Sequence, residues 1–357
     1  MRGFWLCCGL VVLCAATLVL AAELPPSIER VDDGVPGYDN TAIALGRGGE
    51  TYVAAIKGKE VLLYTCRPGH VADQRRIAEV GTHPTMVTDV FGNVHLAYLD
   101  PQEHTINYVT NQTGSWLGTT VESNIADVVP SLTMDGMNQP HLAFVSDDVK
   151  KTLRHAIRIG EDWKSEPVET LGSVSGNVSL AVDVRNKIHL SYFNGGEKLL
   201  KYATNAEGMW KSVAVISPLA TYGPWSSLAV DTRGAPHLAY FVTDPATNRG
   251  LLMYATNSPG PWVYMQADLV SEVHRSMALT VDLQGRAHIA YYDDNNQQLR
   301  YAANTTGEWT HTAVDKIRGM GLWPAITLDS TAGVHVSYLG ESSLWHASFT
   351  QGFGSVQ

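Results

Sequence analysis

A fixed six-residue spacing from an aspartate to a histidine recurs along this 357-residue chain. The stretches "DTRGAPHLAY" at 231–240 and "DLQGRAHIAY" at 282–291 show the pattern, with a glycine midway. Successive histidines are 46, 48, 48, 51 and 47 residues apart, and a period of this length predicts a propeller or a related array. The six pairs are Asp89 and His95, Asp135 and His141, Asp183 and His189, Asp231 and His237, Asp282 and His288, and Asp329 and His335.

A seventh, degenerate copy comes first, where "GRGGETY" places Gly46 and Tyr52 at the two positions. Each unit contains four short apolar-rich runs separated by turn residues, such as "SSLAVD", "HLAYFV", "LLMYAT" and "WVYMQADL". Short runs of this kind are typical of an antiparallel meander. The sequence therefore predicts an all-β fold, a seven-bladed β-propeller of four-stranded antiparallel blades.

The two ends of the chain complement each other. The last unit lacks a fourth strand, whereas "PSIERVDDG" at 26–34 resembles one. We therefore expect the N-terminal strand to complete the last blade and close the ring, which removes exposed sheet edges. In the last unit Ala332 stands where other turns have Gly or Asn, and Gly333 follows, which predicts a turn shifted by one residue.

The first 22 residues have the layout of a secretory signal peptide. Arg2 precedes an uncharged apolar run from Phe4 to Ala22, and small residues end the run. The run is also long enough for an uncleaved membrane anchor. We expect cleavage, a single propeller domain over 23–357, no membrane span once the peptide is removed, and a secreted, periplasmic or cell-surface protein.

Charge and cysteine content narrow the function further. The formal net charge is −10, which disfavours binding to a nucleic-acid backbone. Cleavage would leave Cys66 alone, so no internal disulfide is expected, and its apolar surroundings favour a buried side chain. We expect a monomer.

The repeated pairs are interpreted as structural. Six histidines spread around a ring are too far apart to share one metal ion, and an enzyme has no use for six copies of a dyad. The aspartate instead suits a hairpin turn, where its carboxylate accepts turn N–H groups or the imidazole N–H. A tryptophan near the start of each fourth strand predicts packing between units, at Trp116, Trp163, Trp210, Trp262 and Trp309.

The pattern D-x-x-G-x-x-H-[LI]-A-Y followed by L-x-Y-A-x-N-x-x-G-x-W resembles the repeats of secreted propellers of the sialidase-like and fucose-lectin-like groups. The resemblance runs from about residue 37 to 349 and implies architecture more than activity. The sequence lacks the sialidase Asp-box, Ser-x-Asp-x-Gly-x-x-Trp. The resemblance makes a glycan or an extracellular protein the expected partner.

Function is expected where the copies differ, on the loops that enter the first strands. These loops bring aromatic, charged and amide side chains toward one mouth of the channel, a mixture that suits a sugar. The candidate ligand-binding residues are Tyr38, Asp39, Asn40, His83, Asp127, Asn177, Trp225, Arg275 and Trp323.

Three functions stay open at this point. The favoured one is non-catalytic carbohydrate binding, and a scaffold for protein interactions is another. The third is a polysaccharide lyase or glycoside hydrolase, for which His83, Tyr222, His274 and Arg275 are candidate catalytic residues. No metal motif occurs; "YDDNNQQ" at 292–298 could hold Ca²⁺ but reads more simply as a solvated turn, so no cofactor is expected.

Overall fold

The computed structural model describes residues 25–34, 39–70, 72–215, 221–257, 260–270, 277–340 and 342–350, apart from the side chains of Thr221 and Tyr222. The proposed signal peptide, residues 1–22, lies outside these ranges. Within them the chain forms 28 strands arranged as seven four-stranded antiparallel sheets, which confirms the predicted fold class. No helix in the described part of the chain has the length and apolar character needed to cross a membrane.

The strands follow the sequence repeat. Blade 1 contains β2 (Ala42–Leu45), β3 (Thr51–Lys57), β4 (Glu60–Cys66) and β5 (Asp73–Ala78), and blade 2 contains β6 (Thr82–Thr88), β7 (Val94–Asp100), β8 (Thr105–Thr110) and β9 (Leu117–Ser123). Blade 3 contains β10 (Ser131–Met134), β11 (Pro140–Val145), β12 (Thr152–Ile159) and β13 (Asp162–Thr170), and blade 4 contains β14 (Val178–Val182), β15 (Ile188–Asn194), β16 (Leu199–Thr204) and β17 (Lys211–Ala214).

The remaining blades complete the ring. Blade 5 contains β18 (Thr221–Val230), β19 (Pro236–Asp244), β20 (Arg249–Thr256) and β21 (Val263–Val270), and blade 6 contains β22 (Met277–Val281), β23 (Ala287–Asp293), β24 (Gln298–Ala303) and β25 (Thr310–Asp315). Blade 7 contains β26 (Leu322–Leu328), β27 (Gly333–Leu339), β28 (Ser343–Thr350) and β1 (Ser27–Asp33).

The N-terminal strand closes the propeller as predicted. β1 is the outer strand of blade 7, antiparallel to β28, with Ser27 opposite Ser348 and Asp33 opposite Ser343. The contact continues into blade 1, because Asp32 accepts a hydrogen bond from the Tyr64 hydroxyl at 2.7 Å and pairs with Lys57 at 2.7 Å. The first and last parts of the chain are thus held in one sheet.

Each repeated aspartate organises its own hairpin turn. In all six copies one carboxylate oxygen accepts the backbone N–H groups two and four residues later, at 2.7–2.9 Å. The histidine Nε2 lies 3.3–3.7 Å from the other oxygen. The turn N–H groups are therefore the main partners of the carboxylate, and the imidazole is a secondary one.

The histidine connects the turn to the next blade. Its Nδ1 contacts a tyrosine hydroxyl on the third strand in four blades, and a histidine replaces the tyrosine in two, at His155 and His346. The third-strand ring then meets the tryptophan of the following blade edge-on, with centroids 5.1–5.7 Å apart. This confirms the predicted packing role of Trp163, Trp210, Trp262 and Trp309.

In blade 1 a contact between Tyr52 and Glu50 replaces the Asp–His pair. The Tyr52 hydroxyl donates to Glu50 Oε1 at 3.0 Å. A Cβ on Gly46 would lie 2.4 Å from the Glu50 carboxyl carbon, so Glu50 fills the space that the aspartate takes elsewhere. The joint loss of aspartate and histidine is thus compensated by one glutamate.

The turn of the last blade is not shifted. Ala332 adopts a φ of 67°, and its N–H donates to the Asp329 carbonyl at 3.0 Å, as the third residue does in the other turns. The prediction of a shifted turn is therefore wrong, because the two Asp329 contacts to Thr331 and Gly333 fix the turn with alanine in the left-handed region.

Candidate functional site

The blades define two faces of the ring. The loops that enter the first strands lie on one side, which we call the mouth face. The turns that join the first to the second strands lie on the opposite side, the far face.

Cys66 is buried at the end of β4, as expected from its sequence, and burial raises the pKa of its thiol to about 11.

One register position on the mouth face forms a ring around the channel. In each blade, the residue two positions after the repeated His or Tyr pairs with a residue of the first strand. The ring position lies two residues before that first-strand residue. The described residues at this position are of four different types, in contrast to the repeated turns. They are Asn40, His83, Val129, Asn177, Trp225 and Trp323.

Two of the ring residues are held in strained backbone. His83 has a φ of 55° and Trp323 a φ of 51°, and among the described residues they are the non-glycine residues with positive φ inside a strand. The register of β6 and β26 shifts at these points, as it also does in β18 beside Trp225. Such bulges re-aim a side chain, and strain of this kind concentrates at functional sites.

The two ring tryptophans contact each other across the channel mouth. Trp225 and Trp323 meet edge-on, with centroids 5.2 Å apart and planes at 68°. Both are half-buried. They line a cavity of about 230 Å³ together with Asn40, Pro84, Val129 and Asn177. The cavity is smaller than the roughly 300–1,000 Å³ of pockets for drug-sized ligands.

A second group of ring-side residues brings two carboxylates to one imidazole. His83 Nδ1 lies 2.8 Å from Asp39 Oδ1, and His83 Nε2 lies 3.1 Å from Asp127 Oδ1. The His83 backbone N–H also donates to Asp39 Oδ2 at 3.1 Å, which satisfies the donor that the bulge turns away from the sheet. Asp39 thus positions His83 through both its backbone and its ring.

The electrostatics of this group make His83 a cation. Burial disfavours the imidazolium, but the hydrogen bonds to Asp127 and Asp39 outweigh it and raise the pKa of His83 to about 9. The His83 ring also lowers the pKa of Asp127. The Asp127 side chain is 84% exposed, so it presents a carboxylate to solvent beside the imidazolium. A pKa above neutrality favours the protonated imidazole and disfavours a role of His83 as general base at neutral pH.

The two ring asparagines are occupied by the neighbouring blade. Asn177 donates from Nδ2 to the Ser226 carbonyl at 2.7 Å and accepts the Ser226 N–H at 3.0 Å. Asn40 donates to the Pro84 carbonyl at 2.7 Å. Both amides join the mouth ends of adjacent blades, and the Asn177 contact fixes the residue that follows Trp225.

Several predicted site residues fall outside the described part of the chain. These are Tyr38, His274, Arg275 and the side chain of Tyr222.

In the loop 292–298, Asp293 is buried and accepts hydrogen bonds from the Asn295 N–H at 3.1 Å and from Asn296 Nδ2 at 2.8 Å. Within the described ranges no three His, Cys, Asp or Glu side chains are arranged to hold a metal ion.

No protein-family model matches the chain, and no curated protein sequence matches it. Solved structures match it across most of its length at low identity. A virginiamycin B lyase from Staphylococcus aureus shares 10% identity and a TM-score of 0.61, over 91% of this chain and 99% of that one. The polysaccharide lyase Uly1 shares 10% identity and a TM-score of 0.59, over 88% and 90%.

A six-bladed fucose-binding lectin from Aleuria aurantia shares 9% identity and a TM-score of 0.54, over 79% of this chain and 97% of that one. Identities this low establish the propeller fold and do not transfer an activity. The fold neighbours thus include both lectins and lyases.

Proposed function

We propose that the mouth face binds a neutral carbohydrate without cleaving it. The Trp225–Trp323 pair is the observation that carries this proposal: two half-buried rings meet at 5.2 Å beside the channel cavity. Aromatic rings offer a large apolar surface at little entropic cost. The apolar face of a sugar suits that surface, and a cavity of about 230 Å³ suits one terminal sugar residue better than a long chain.

Among the described residues of the mouth, the charges around His83 favour a neutral sugar. One imidazolium at His83 stands against the carboxylates of Asp39 and Asp127, so this group carries an excess negative charge. Such a group repels an acidic polysaccharide but accepts hydrogen bonds from sugar hydroxyls. The exposed Asp127 carboxylate is the expected hydroxyl acceptor.

A polysaccharide lyase is the second candidate, supported by the fold neighbours that are lyases. In that reaction His83 would be a cation that neutralises the substrate carboxylate, and the base would have to come from another group. Tyr222, His274 and Arg275 are the candidates from the sequence. A protein-interaction scaffold is the third possibility.

Glycan-array binding and calorimetry with Trp225→Ala and Trp323→Ala test the proposal. We expect binding of a neutral glycan and a loss of about 2 kcal/mol, or about thirtyfold in Kd, for each variant. The matched control is Phe91→Ala, which removes an aromatic ring that is 67% exposed on the far face. That control should bind like the parent chain.

Three results separate the functions. An ultraviolet-absorbing unsaturated product from an acidic polysaccharide, lost in His83→Ala, would replace the binding proposal by the lyase. If neither glycan binding nor an unsaturated product is observed, the protein-interaction scaffold would remain as the function. Equal loss of affinity in Trp225→Ala and Phe91→Ala would show that the tryptophan pair is not the binding site.

A further inference from the structure

A second cavity opens on the mouth face, outside the ring and between blades 1 and 2. Its volume is about 400 Å³, which is larger than the channel cavity and falls within the roughly 300–1,000 Å³ of small-ligand pockets. Its walls come from the β3–β4 turn, the segment that links β5 to β6, and the β7–β8 turn. We call this cavity the side groove, and the residues that define it are Asp39, Ile56, Lys59, Val80, Pro101 and Gln102.

Hydrogen bonds fix the walls of the side groove. The Gly81 N–H donates to the Lys59 carbonyl at 2.9 Å, which ties the link between the two blades to the β3–β4 turn. In the β7–β8 turn, Asp100 Oδ1 accepts the Gln102 N–H at 2.9 Å and the Glu103 N–H at 3.1 Å. Because these walls are already held in place, a ligand loses little binding free energy to ordering them.

A thin partition separates the side groove from the channel cavity. Asp39 lines the side groove, and the next residue, Asn40, lines the channel cavity. On the blade 2 side, Thr82 lines the side groove and Pro84 lines the channel cavity, with His83 between them. The Asn40 side-chain amide donates to the Pro84 carbonyl at 2.7 Å and closes the partition. Since consecutive Cα atoms are about 3.8 Å apart, the two cavities are neighbours on the scale of one sugar residue.

One tryptophan of the pair stands next to this partition. The Thr41 hydroxyl donates to the Trp323 carbonyl at 2.9 Å, so Trp323 lies beside the segment that begins with Asn40. Trp323 and Asn40 also line the same channel cavity. A ligand whose terminal sugar packs on Trp323 can therefore extend across the partition into the side groove.

The side groove has apolar walls and a polar rim. Ile56, Val80 and Pro101 supply apolar surface, and the exposed side chains of Lys59 and Gln102 supply hydrogen-bond donors. A plain hexose presents hydroxyl groups and has no apolar substituent to place against such walls. An acetamido group offers a methyl group to the walls and an amide carbonyl to the donors of the rim. It carries no charge, which agrees with the neutral ligand proposed above.

We propose that the side groove binds an N-acetylhexosamine as the second residue of the ligand, while the terminal sugar packs on the tryptophan pair. This inference rests on the proposed carbohydrate binding at the mouth. The acetamido methyl group lies against Ile56 and Val80, and the acetamido carbonyl accepts a hydrogen bond from Lys59 or Gln102. The ligand class is thus a neutral oligosaccharide with an N-acetylhexosamine next to its terminal residue.

Calorimetry with matched disaccharides tests the proposal. N-acetyllactosamine is compared with lactose, from which it differs by one acetamido group on the second sugar, and the same comparison is made with glucose and with mannose as the terminal sugar. We expect the acetamido member to bind about tenfold more tightly, because it buries one methyl group and gains one hydrogen bond. Ligands found on a glycan array should carry an N-acetylhexosamine next to the terminal residue.

Two variants separate the side groove from the tryptophan pair. Val80→Asn places an amide on the groove wall and should reduce the preference for the acetamido member from about tenfold to about twofold, with little change in the affinity for lactose. Trp225→Ala should weaken both members of a pair alike and keep the preference. The control Val90→Asn makes the same replacement at a side chain that is 69% exposed on the far face, and it should leave both affinities unchanged.

Equal affinities within all three pairs would overturn the proposal, as would array ligands that lack an N-acetylhexosamine at the second position. An unchanged preference in Val80→Asn would also overturn it, and so would a preference that Trp225→Ala removes as well, because both sugars would then share one site. If no neutral glycan binds at all, the proposed carbohydrate binding itself fails, and this inference fails with it. Matching far-ultraviolet circular dichroism and melting temperatures verify that the variants are folded.

Discussion

Replacing His155 and His346 by tyrosine should make the protein more stable to acid. These two histidines take the place of the third-strand tyrosine in blades 3 and 7, stacked on His141 and His335 with centroids 5.1 and 5.3 Å apart. Burial and the neighbouring histidine lower the pKa of both to about 4, although Glu166 partly offsets this for His155.

The magnitude follows from linkage. An unfolded histidine has a pKa of about 6.5, so below that pH the unfolded chain takes up a proton that folded His155 and His346 refuse. Stability is therefore lost as pH falls from about 6.5 toward about 4. At pH 5 the gap is about 1.5 pKa units, or about 2 kcal/mol for each histidine and about 4 kcal/mol for both.

Tyrosine avoids this cost because its phenol is neutral throughout the range. It should also fit, since blades 2, 4, 5 and 6 place a tyrosine at the same register opposite the strand-two residue, next to the edge of the following aromatic ring. In blade 3 that neighbour is Trp210, which already meets His155 at 5.7 Å.

Urea unfolding followed by tryptophan fluorescence at pH 7.5 and pH 5 measures the effect. The double variant His155→Tyr and His346→Tyr should unfold at nearly the parental urea concentration at pH 7.5, and at a clearly higher one at pH 5. The same difference at both pH values would mean that packing, not protonation, sets the effect. No gain at pH 5 would refute the electrostatic reasoning.

Three further changes probe the turns and the mouth. Asp231→Ala should cost about 3 kcal/mol of unfolding free energy by leaving two buried turn N–H groups without an acceptor, while glycan affinity stays unchanged; lost binding at an unchanged melting temperature would contradict a structural role. In an NMR titration His83 should titrate near pH 9. The stability that protonated His83 contributes should be complete below about pH 6.5 and lost as the pH rises through 9. Asp127→Asn should lower the titration midpoint, and an unchanged midpoint would exclude the contact between His83 and Asp127. Gly176→Ala should strongly destabilise the fold and weaken glycan binding, because Gly176 has a φ of 82° and a Cβ there would lie 1.9 Å from a backbone carbonyl of blade 5. The control Gly208→Ala, where φ is 89° and the added Cβ meets open space, should cost only about 1 kcal/mol of unfolding free energy.

The blade count and the ring closure were predictable because they depend on repetition. The Asp–His spacing fixes the first hairpin of each blade, and the resemblance of 26–34 to a fourth strand identifies the closing strand. The error at Ala332 shows the limit of this reasoning. Glycine preference predicts where a left-handed residue is easiest, but the contacts of Asp329 decide where it actually lies.

The mouth was predictable only as a set of positions. Aligning the loops found Trp225, Trp323, His83 and Asn177, but not their partners. Asn177 binds the backbone of the next blade, and His83 lies between carboxylates from blades 1 and 3. Such contacts join loops from different blades, 44 to 49 residues apart, so no local pattern reports them. The strained backbone of Trp323 has no sequence signal either.

The scaffold explains how the mouth can hold unrelated side chains at fixed places. Two residues along the chain from a ring position, a first-strand hydroxyl accepts a backbone N–H of the next blade at 2.9–3.1 Å. These hydroxyls belong to Thr85, Ser131, Ser179 and Ser227. Val129, Asn177 and Trp225 therefore project from strands that these hydrogen bonds hold on both sides, so the type of side chain at these positions can change without loosening the ring. We propose that a channel built in this way selects its ligand through residues such as His83 and Trp225, while the repeated turns stabilise the fold.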